Sequence, residues 1–321
     1  MRGLPNPSRW QTGEGLIDPA ALMKIKSMEL RARAVVEGFW RGIHRSPYHG
    51  FSVEFTEYRP YTYGDDPRYV DWRVYARSDR FYIKKFEDET NLRCHLLVDH
   101  SRSMEFASVG YSKGQYAGTL AATLTYFLFT QGDAVGLATF DDRIRQYMPP
   151  RNRPSYLRRL MVALESAPQG KATDLGPPIQ GLGQMLTRRG LIVMISDMLS
   201  SLDRLEADLR HLRAAGHDVV LFHVLDPAEL HFEFEAPALF EDLESGRDMF
   251  IDPTVAEKDY KQKLNEHLDN IKSICQGLEI DYHLFATDRP FDSALIEFLQ
   301  HRMHRRKRVR RIRAPGARGT R

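Results

Sequence analysis

From residue 93 onward, short apolar runs alternate with longer segments whose apolar residues recur every three or four positions. "RCHLLVD" (93–99), "DAVGLATFD" (133–141), "LIVMISD" (191–197), "HDVVLFHVLD" (217–226) and "DYHLFAT" (281–287) read as buried strands. Between and after them, 113–132, 154–167, 176–190, 201–216, 253–277 and 290–307 read as helices, with Ser201 as a cap and Gly132 and Gly216 as stops. Apolar strands alternating with helices predict an α/β domain with a mostly parallel sheet and helices on both faces. The interval 231–252 breaks the alternation, and "FEDLESGRDMFID" predicts a hairpin turning at Ser245 and Gly246.

Before residue 93 the pattern differs. Residues 18–41 predict one amphipathic helix, with Asp18 as N-cap and Pro19 in its first turn. The aromatic and β-branched run 51–63 predicts a strand, "GDDP" (64–67) a turn, and 81–86 a second strand. Three regions are expected. Residues 1–92 form an N-terminal helix and β subdomain carrying "GDDPRYVDW". Residues 93–303 form the α/β domain, with its hairpin insertion near 231–252. Residues 304–321 form a basic tail.

Composition fits a soluble globular chain, at 42% hydrophobic and 28% charged. The N-terminus has no apolar core of a secretory signal, and the greasiest stretch (117–130) is too short to span a bilayer. A cytoplasmic protein is expected, at most peripheral to a membrane. Cys94 and Cys275 lack metal-ligand spacing and read as reduced core residues.

The net charge of +3 hides an asymmetry. Residues 302–321 hold ten Lys and Arg and no acid, which leaves 36 basic against 43 acidic residues elsewhere. An acidic body excludes nucleic-acid binding spread over the fold, and no specific nucleic acid is expected. The stretch Arg305–Arg313 is either a solvated tail or a weak contact for anionic lipid, RNA or the acidic body itself.

In parallel α/β sheets, ligands bind at the carboxyl ends of strands. Strand 93–99 ends in Asp99, followed by Ser101 and Ser103. Strand 191–197 ends in Asp197, after Ser196. A loop between them carries Thr173 and Asp174. One reading is a polar strand end that caps the next helix. The other is a cation site. Two carboxylates about 6 Å apart repel by roughly 3 kcal/mol at an effective dielectric near 20, and a divalent ion removes that repulsion. Few carboxylates with neutral hydroxyls suit Mg²⁺ better than Ca²⁺, and zinc would want His or Cys.

No nucleophile–base pair is evident. A phosphatase of the haloacid-dehalogenase type would want Asp-x-Asp after strand 93–99, where this chain has Ser101, and there is no glycine-rich phosphate loop. "GDDPRYVDW" reads as a turn fixed by pairing of Asp65, Asp66 and Asp71 with Arg68, Arg73 and Arg77, or else as a contact surface.

The Asp-x-Ser-x-Ser, the later Thr and the later Asp resemble the metal-ion-dependent adhesion site of von Willebrand factor A domains. The resemblance implies a metal site of Asp99, Ser101, Ser103, Thr173 and Asp197, with Mg²⁺ as cofactor (Mn²⁺ or Ca²⁺ as substitutes) and one position open to a partner's carboxylate. Upstream, "VEFTEYRPYTYGDDPRYVDWRVYARSDRFYIKKFEDETNL" resembles the signature of domain-of-unknown-function family 58, whose members carry a von Willebrand A-like half. The similarity continues through "SRSM", "RRGLIVMISD", "GHDVVLFHVLDPAEL" and "FEDLESGRDMFIDP". It implies a MoxR-type AAA+ ATPase, or its client, as partner. The expected function is therefore a non-enzymatic, Mg²⁺-dependent protein-interaction module acting as adaptor to such an ATPase. The alternatives are a metal-dependent hydrolase or phosphatase, and a tail-mediated nucleic-acid or membrane adaptor.

Overall fold

The computed structural model describes residues 17–45, 57–61, 72–78, 80–85, 92–166, 170, 174–199, 201–202, 204–232, 237–241 and 248–298. They form two compact units, one of residues 41–91 and one of the remainder.

The larger unit is built on a six-stranded sheet. Its strands are β3 (Arg93–Asp99), β4 (Ala134–Phe140), β5 (Ile144–Arg151), β6 (Leu191–Ser196), β7 (Asp218–Leu225) and β10 (Asp281–Ala286), in the spatial order β10-β7-β6-β3-β4-β5. All neighbours pair parallel except β4 with β5. The expected α/β class, with a mostly parallel sheet, is what the chain has.

Strand residues alternate between two covered faces. Leu97, Ile192, Met194, Val219 and Leu221 share one core with Ile179 and Leu182 of α6 (Gly176–Met185), Leu209 and Leu212 of α7 (Leu205–Ala214), and Ile271 and Cys275 of α9 (Pro253–Gly277). Against the sheet also lies α4 (Lys113–Thr130), touching β3, β4, β6 and β7. This helix is buried nearly all round, as its apolar, small-residue sequence requires. Next to it, α5 (Pro154–Leu164) approaches so closely that a Cβ on Gly118 would lie 3.2 Å from the Leu164 carbonyl.

The chain winds from β3 to β4 in one direction, then from β6 through β7 to β10 in the other. The winding reverses between β3 and β6, and sheets of this kind take ligands in the crevice at that point, outside the carboxyl ends of the strands.

Several elements differ from expectation. The helix expected over 18–41 is two: α1 (Pro19–Met23), capped by Asp18, and α2 (Met28–Arg45). Ser27 makes the break, because its hydroxyl accepts from the Leu30 N–H at the new start. The expected 1–92 grouping is drawn differently as well, since residues through Trp40 belong with the α/β unit. Met28, Ala32, Val35, Val36 and Phe39 form a buried stripe, and Phe39 and Trp40 pack on Phe127 of α4. The Met28 N–H donates to Glu165 at 2.9 Å, and Arg31 donates to Thr119 at 2.9 Å.

Strand β5 was not expected at all. Ser201 does not cap α7, which starts at Leu205 without a side-chain cap. An extra short helix, α8 (Pro227–His231), follows β7. The hairpin strands are β8 (Ala238–Glu241) and β9 (Asp248–Ile251), antiparallel as expected; the Ser245–Gly246 turn lies outside the described residues. A last helix, α10, covers 291–298. Cys94 and Cys275 are buried and form no disulfide.

The smaller unit pairs β1 (Glu57–Pro60) with β2 (Tyr82–Lys85) in antiparallel register. Between them α3 (Trp72–Ser78) replaces part of the extended segment expected there, and its Tyr75 stacks on Phe81 at 4.3 Å. Asp65, Asp66, Asp71 and Arg68 lie outside the described residues, as do Arg305–Arg313.

Candidate metal centre

Strand β3 ends in Asp99, whose carboxylate is wholly buried. By the strand's alternation it shares the face of Leu97. Its Oδ1 accepts from the Ser101 N–H at 2.8 Å, an Asx turn that reverses the chain without glycine. Its Oδ2 accepts from Ser196 Oγ at 2.5 Å, which ties the end of β3 to the end of β6. A 3-10 turn over Arg102–Glu105 then places Ser103 beside Ser101, their hydroxyl oxygens 3.0 Å apart. Met104 in that turn is fully buried, a core residue as expected.

The loop after β6 is strained where it passes the site. Met198 has φ of 53°, in the left-handed region that a non-glycine residue adopts at a cost. Three side chains hold it. Ser196 Oγ accepts from the Met198 N–H at 3.0 Å, Asp197 Oδ1 accepts from the Leu199 N–H at 3.2 Å, and the ring of His267 meets the Met198 carbonyl at 2.9 Å. This fixes Asp197 beside the Ser101–Ser103 turn, where the Ser103 hydroxyl bonds it.

The Asp197 carboxylate is also met by Lys113, the first residue of α4. Its Nζ donates to Asp197 Oδ2 at 2.8 Å and to Glu229 Oε1 of α8 at 2.6 Å, with the lysine side chain fully buried. Helix α4 starts in a capping box of Ser112 and Gln115, so the backbone places Lys113 at this spot whatever its charge. A cation at the positive end of a helix dipole is unfavourable by itself, and the two carboxylates offset it. Glu229 Oε2 accepts from the Asp226 N–H, and Asp226 caps α8 while accepting from the N–H and hydroxyl of Ser108. The Asp99 loop and the ends of β6 and β7 thus form one hydrogen-bonded rim.

Charge at this rim is unbalanced. Among the described residues, Asp197 and Glu229 share one ammonium, while Asp99 and Asp226 accept from backbone N–H groups and serine hydroxyls. Burial, then the charge of Asp197, pushes the Asp99 carboxyl up to about 7. Burial acts the same way on Asp197, but Lys113 outweighs it and holds that carboxyl below the ordinary range. Burial pushes Glu229 up in spite of Lys113.

Of the five residues in the expected ligand set, four come together: Asp99, Ser101, Ser103 and Asp197. Thr173 lies outside the described residues. Nearby, the Gly170 N–H donates to the His100 carbonyl at 2.9 Å, and a Cβ on Gly170 would sit 2.6 Å from that oxygen and from Asp141 Cβ. The close approach at this point requires glycine. Ser196, Lys113 and Glu229 were not assigned by sequence reasoning. The hydroxyl at Ser196 was visible beside Asp197, and Asp226-Pro-Ala-Glu229 carries the spacing of a capping box. Nothing in the sequence marked Lys113.

The donors fit a small hard cation. Neighbouring corners of an octahedron with bonds of about 2.1 Å are about 3.0 Å apart, the observed spacing of the two serine oxygens. Among the described residues there is no group of three or more His, Cys, Asp and Glu that could hold a metal, so neither a zinc site nor a carboxylate cage is formed. What the rim offers is hydroxyls flanked by carboxylates.

Comparison with known proteins adds the following. An uncharacterised protein of Mycobacterium tuberculosis (strain ATCC 25618 / H37Rv) is 27% identical over 292 residues, covering 89% of this chain and 90% of its own. The chain is similar to BatB from Bacteroides thetaiotaomicron, at 16% identity and a TM-score of 0.45, covering 65% of this chain and 98% of that one. It is also similar to the VWA domain of SpRpn10, at 16% identity and a TM-score of 0.33, covering 41% and 75%. Residues 57–269 match the model of the family described as protein of unknown function DUF58. With its α/β fold and mostly parallel sheet, the chain belongs to that family.

Proposed function

We propose that the chain is a non-enzymatic protein-interaction module that uses Mg²⁺ at the β3–β6 crevice to take a carboxylate from a partner protein. One observation carries this reading: Asp99, Ser101, Ser103 and Asp197 converge at the point where the sheet's winding reverses. Asp99, Ser101 and Ser103 would hold the ion, with Asp197 adjoining, and Thr173 is the further hydroxyl implied by the family resemblance. Mg²⁺, or Mn²⁺ or Ca²⁺ in its place, would supply Lewis acidity toward one more oxygen ligand. The chain's own part is to hold the donors in place. Ser196 fixes Asp99, the Met198 turn fixes Asp197, and burial keeps bulk water from solvating either carboxylate.

Two further features favour a protein partner over a reaction. Among the described residues, the Ser101 and Ser196 hydroxyls pair with Ser103, Asp99 and the Met198 N–H, not with an imidazole that would activate a nucleophile. The β8–β9 hairpin lies in the chain between α8, which follows β7, and α9. It shows Met249 and Phe250 to solvent at 64% and 71% exposure. Two large apolar side chains exposed on one short strand suit a protein contact. The partner implied by the family resemblance is a MoxR-type AAA+ ATPase or a client that it remodels.

The test is retention of that ATPase or client on the immobilised full chain, in Mg²⁺ and in EDTA. The reading expects binding in Mg²⁺ that is lost in EDTA and lost with Asp99→Asn. Equal retention under both conditions overturns it. Mg²⁺-dependent hydrolysis of a phosphate ester, abolished by Asp99→Asn, would instead make the site an enzyme's.

A further inference from the structure

Lys113 is a charged group at the rim that the proposed function leaves without a task. Its ammonium is fully buried, 2.8 Å from Asp197 and 2.6 Å from Glu229. A buried lysine is costly unless paired and hydrogen-bonded, and this one is held by two carboxylates. It takes the Asp197 oxygen that is not bonded to the Leu199 N–H. The ring of Phe106 lies 5.9 Å from its Nζ, on the loop that follows the two serines. The ammonium is therefore lodged between the Asp99 loop, the end of β6 and α8.

Resting on the Mg²⁺ reading above, we propose that Lys113 is a built-in counter-ion that competes with the divalent ion for Asp197, keeping the rim ordered without metal and holding metal affinity down. The argument is electrostatic. One unit of positive charge already neutralises Asp197, so an arriving cation meets a rim less negative than its carboxylates alone would make it. In a buried site that charge is weakly screened. Glu229 shares the ammonium, and so loosens its hold on Asp197. The arrangement makes the metal's effect reversible: when the ion leaves, the lysine keeps Asp197 in place, and the Met198 turn has no reason to collapse.

The two partners of the ammonium give variants of opposite sign. Lys113→Met keeps the side chain's length and removes the charge; Glu229→Gln keeps the side chain's size and one acceptor oxygen for the Asp226 N–H, and leaves the ammonium to Asp197. Binding of Mn²⁺ to the full-length chain is read from the loss of the free-ion electron-resonance signal, with melting temperature measured in EDTA and in Mn²⁺. Lys113→Met should bind Mn²⁺ at least tenfold more tightly than wild type, melt lower in EDTA, and recover in Mn²⁺. Glu229→Gln should bind severalfold more weakly.

If Lys113→Met does not fold in EDTA, Glu229→Gln alone decides. Unchanged or tighter binding by that variant overturns the proposal. So does Lys113→Met binding Mn²⁺ no better than wild type, which would make the lysine a support for Asp197 and not its competitor. Failure of the underlying reading is seen separately. There, wild type itself binds no Mn²⁺, or binds it equally with Asp99→Asn, and no lysine variant is needed to show it.

Discussion

Ser196 Oγ lies 2.5 Å from Asp99 Oδ2, joining the carboxyl ends of two neighbouring parallel strands through one hydroxyl that also accepts from the Met198 N–H. Ser196→Ala therefore leaves a buried carboxylate oxygen and a buried N–H without partners. The expected loss is about 1.5–3 kcal/mol of stability, the range for hydrogen bonds to charged groups. Urea unfolding of wild type and variant checks it. A change under 0.5 kcal/mol would show that the hydroxyl does not clamp the site.

A second relationship concerns pH. His95 is buried against Tyr147, and burial, followed by the charges of His217 and Arg93, lowers its pKa to about 4 from an ordinary 6.5. Below pH 6.5 the unfolded chain takes up the proton and the folded chain does not. Stability from this residue therefore falls as the pH drops from 6.5 to 4, by at most about 3 kcal/mol. Asp99 and Asp292, pushed up to about 7 and about 6, act in the opposite sense over part of that range. The difference between wild type and His95→Phe isolates the effect. Phe keeps a ring on Tyr147, and the buried Nδ1 has no hydrogen bond to lose. The variant should gain stability relative to wild type as the pH falls, by denaturant melts at pH 7, 6 and 5. A constant difference would refute the assignment.

The third prediction tests the edge of the sheet. A Cβ at Gly136 would fall 2.6 Å from the Met148 carbonyl and 2.7 Å from the Pro150 nitrogen, both backbone atoms of β5. The pairing of β4 with β5 is shifted at this point, between Val135 and Leu137. Gly136→Ala must push β5 away, at a cost of about 1–3 kcal/mol as in other overpacked sites. A neutral thermal melt would mean that β5 is held less firmly than its contacts imply.

The fourth prediction concerns the hairpin. Phe250→Ser removes an exposed ring and should leave stability within about 0.5 kcal/mol. If Phe250 forms part of the docking surface, the variant lowers partner affinity while Mn²⁺ binding stays unchanged. Unaltered partner affinity would confine recognition to the metal crevice.

Legibility of the fold followed burial. The strands buried on both faces, β3, β4, β6 and β7, read as apolar runs, and their ends were placed to within a residue or so. β5 escaped because "IRQYMPPR" is an edge strand: one face is wet, and its two prolines are tolerated where few ladder bonds are needed. The break before α2 was missed because Lys24–Ser27 keeps the helical spacing of apolar residues, while the cap at Ser27 acts locally. At the site, residues attached directly to strand ends were legible, because strand and rim are linked by chain direction alone. Lys113 was not, since its role comes from tertiary placement: a helix start brought against carboxylates 84 and 116 residues away.

The measurement closest to the central claim is titration calorimetry of Mg²⁺ into the metal-free full chain, for wild type and Asp99→Asn. Asn keeps an acceptor for the Ser101 N–H, and its amide can donate to Ser196 Oγ, so the variant tests charge and ligation with the turn's own bond intact. The account predicts one Mg²⁺ per wild-type chain and at least tenfold weaker binding by Asp99→Asn. No binding to wild type, or equal binding by both, would contradict it.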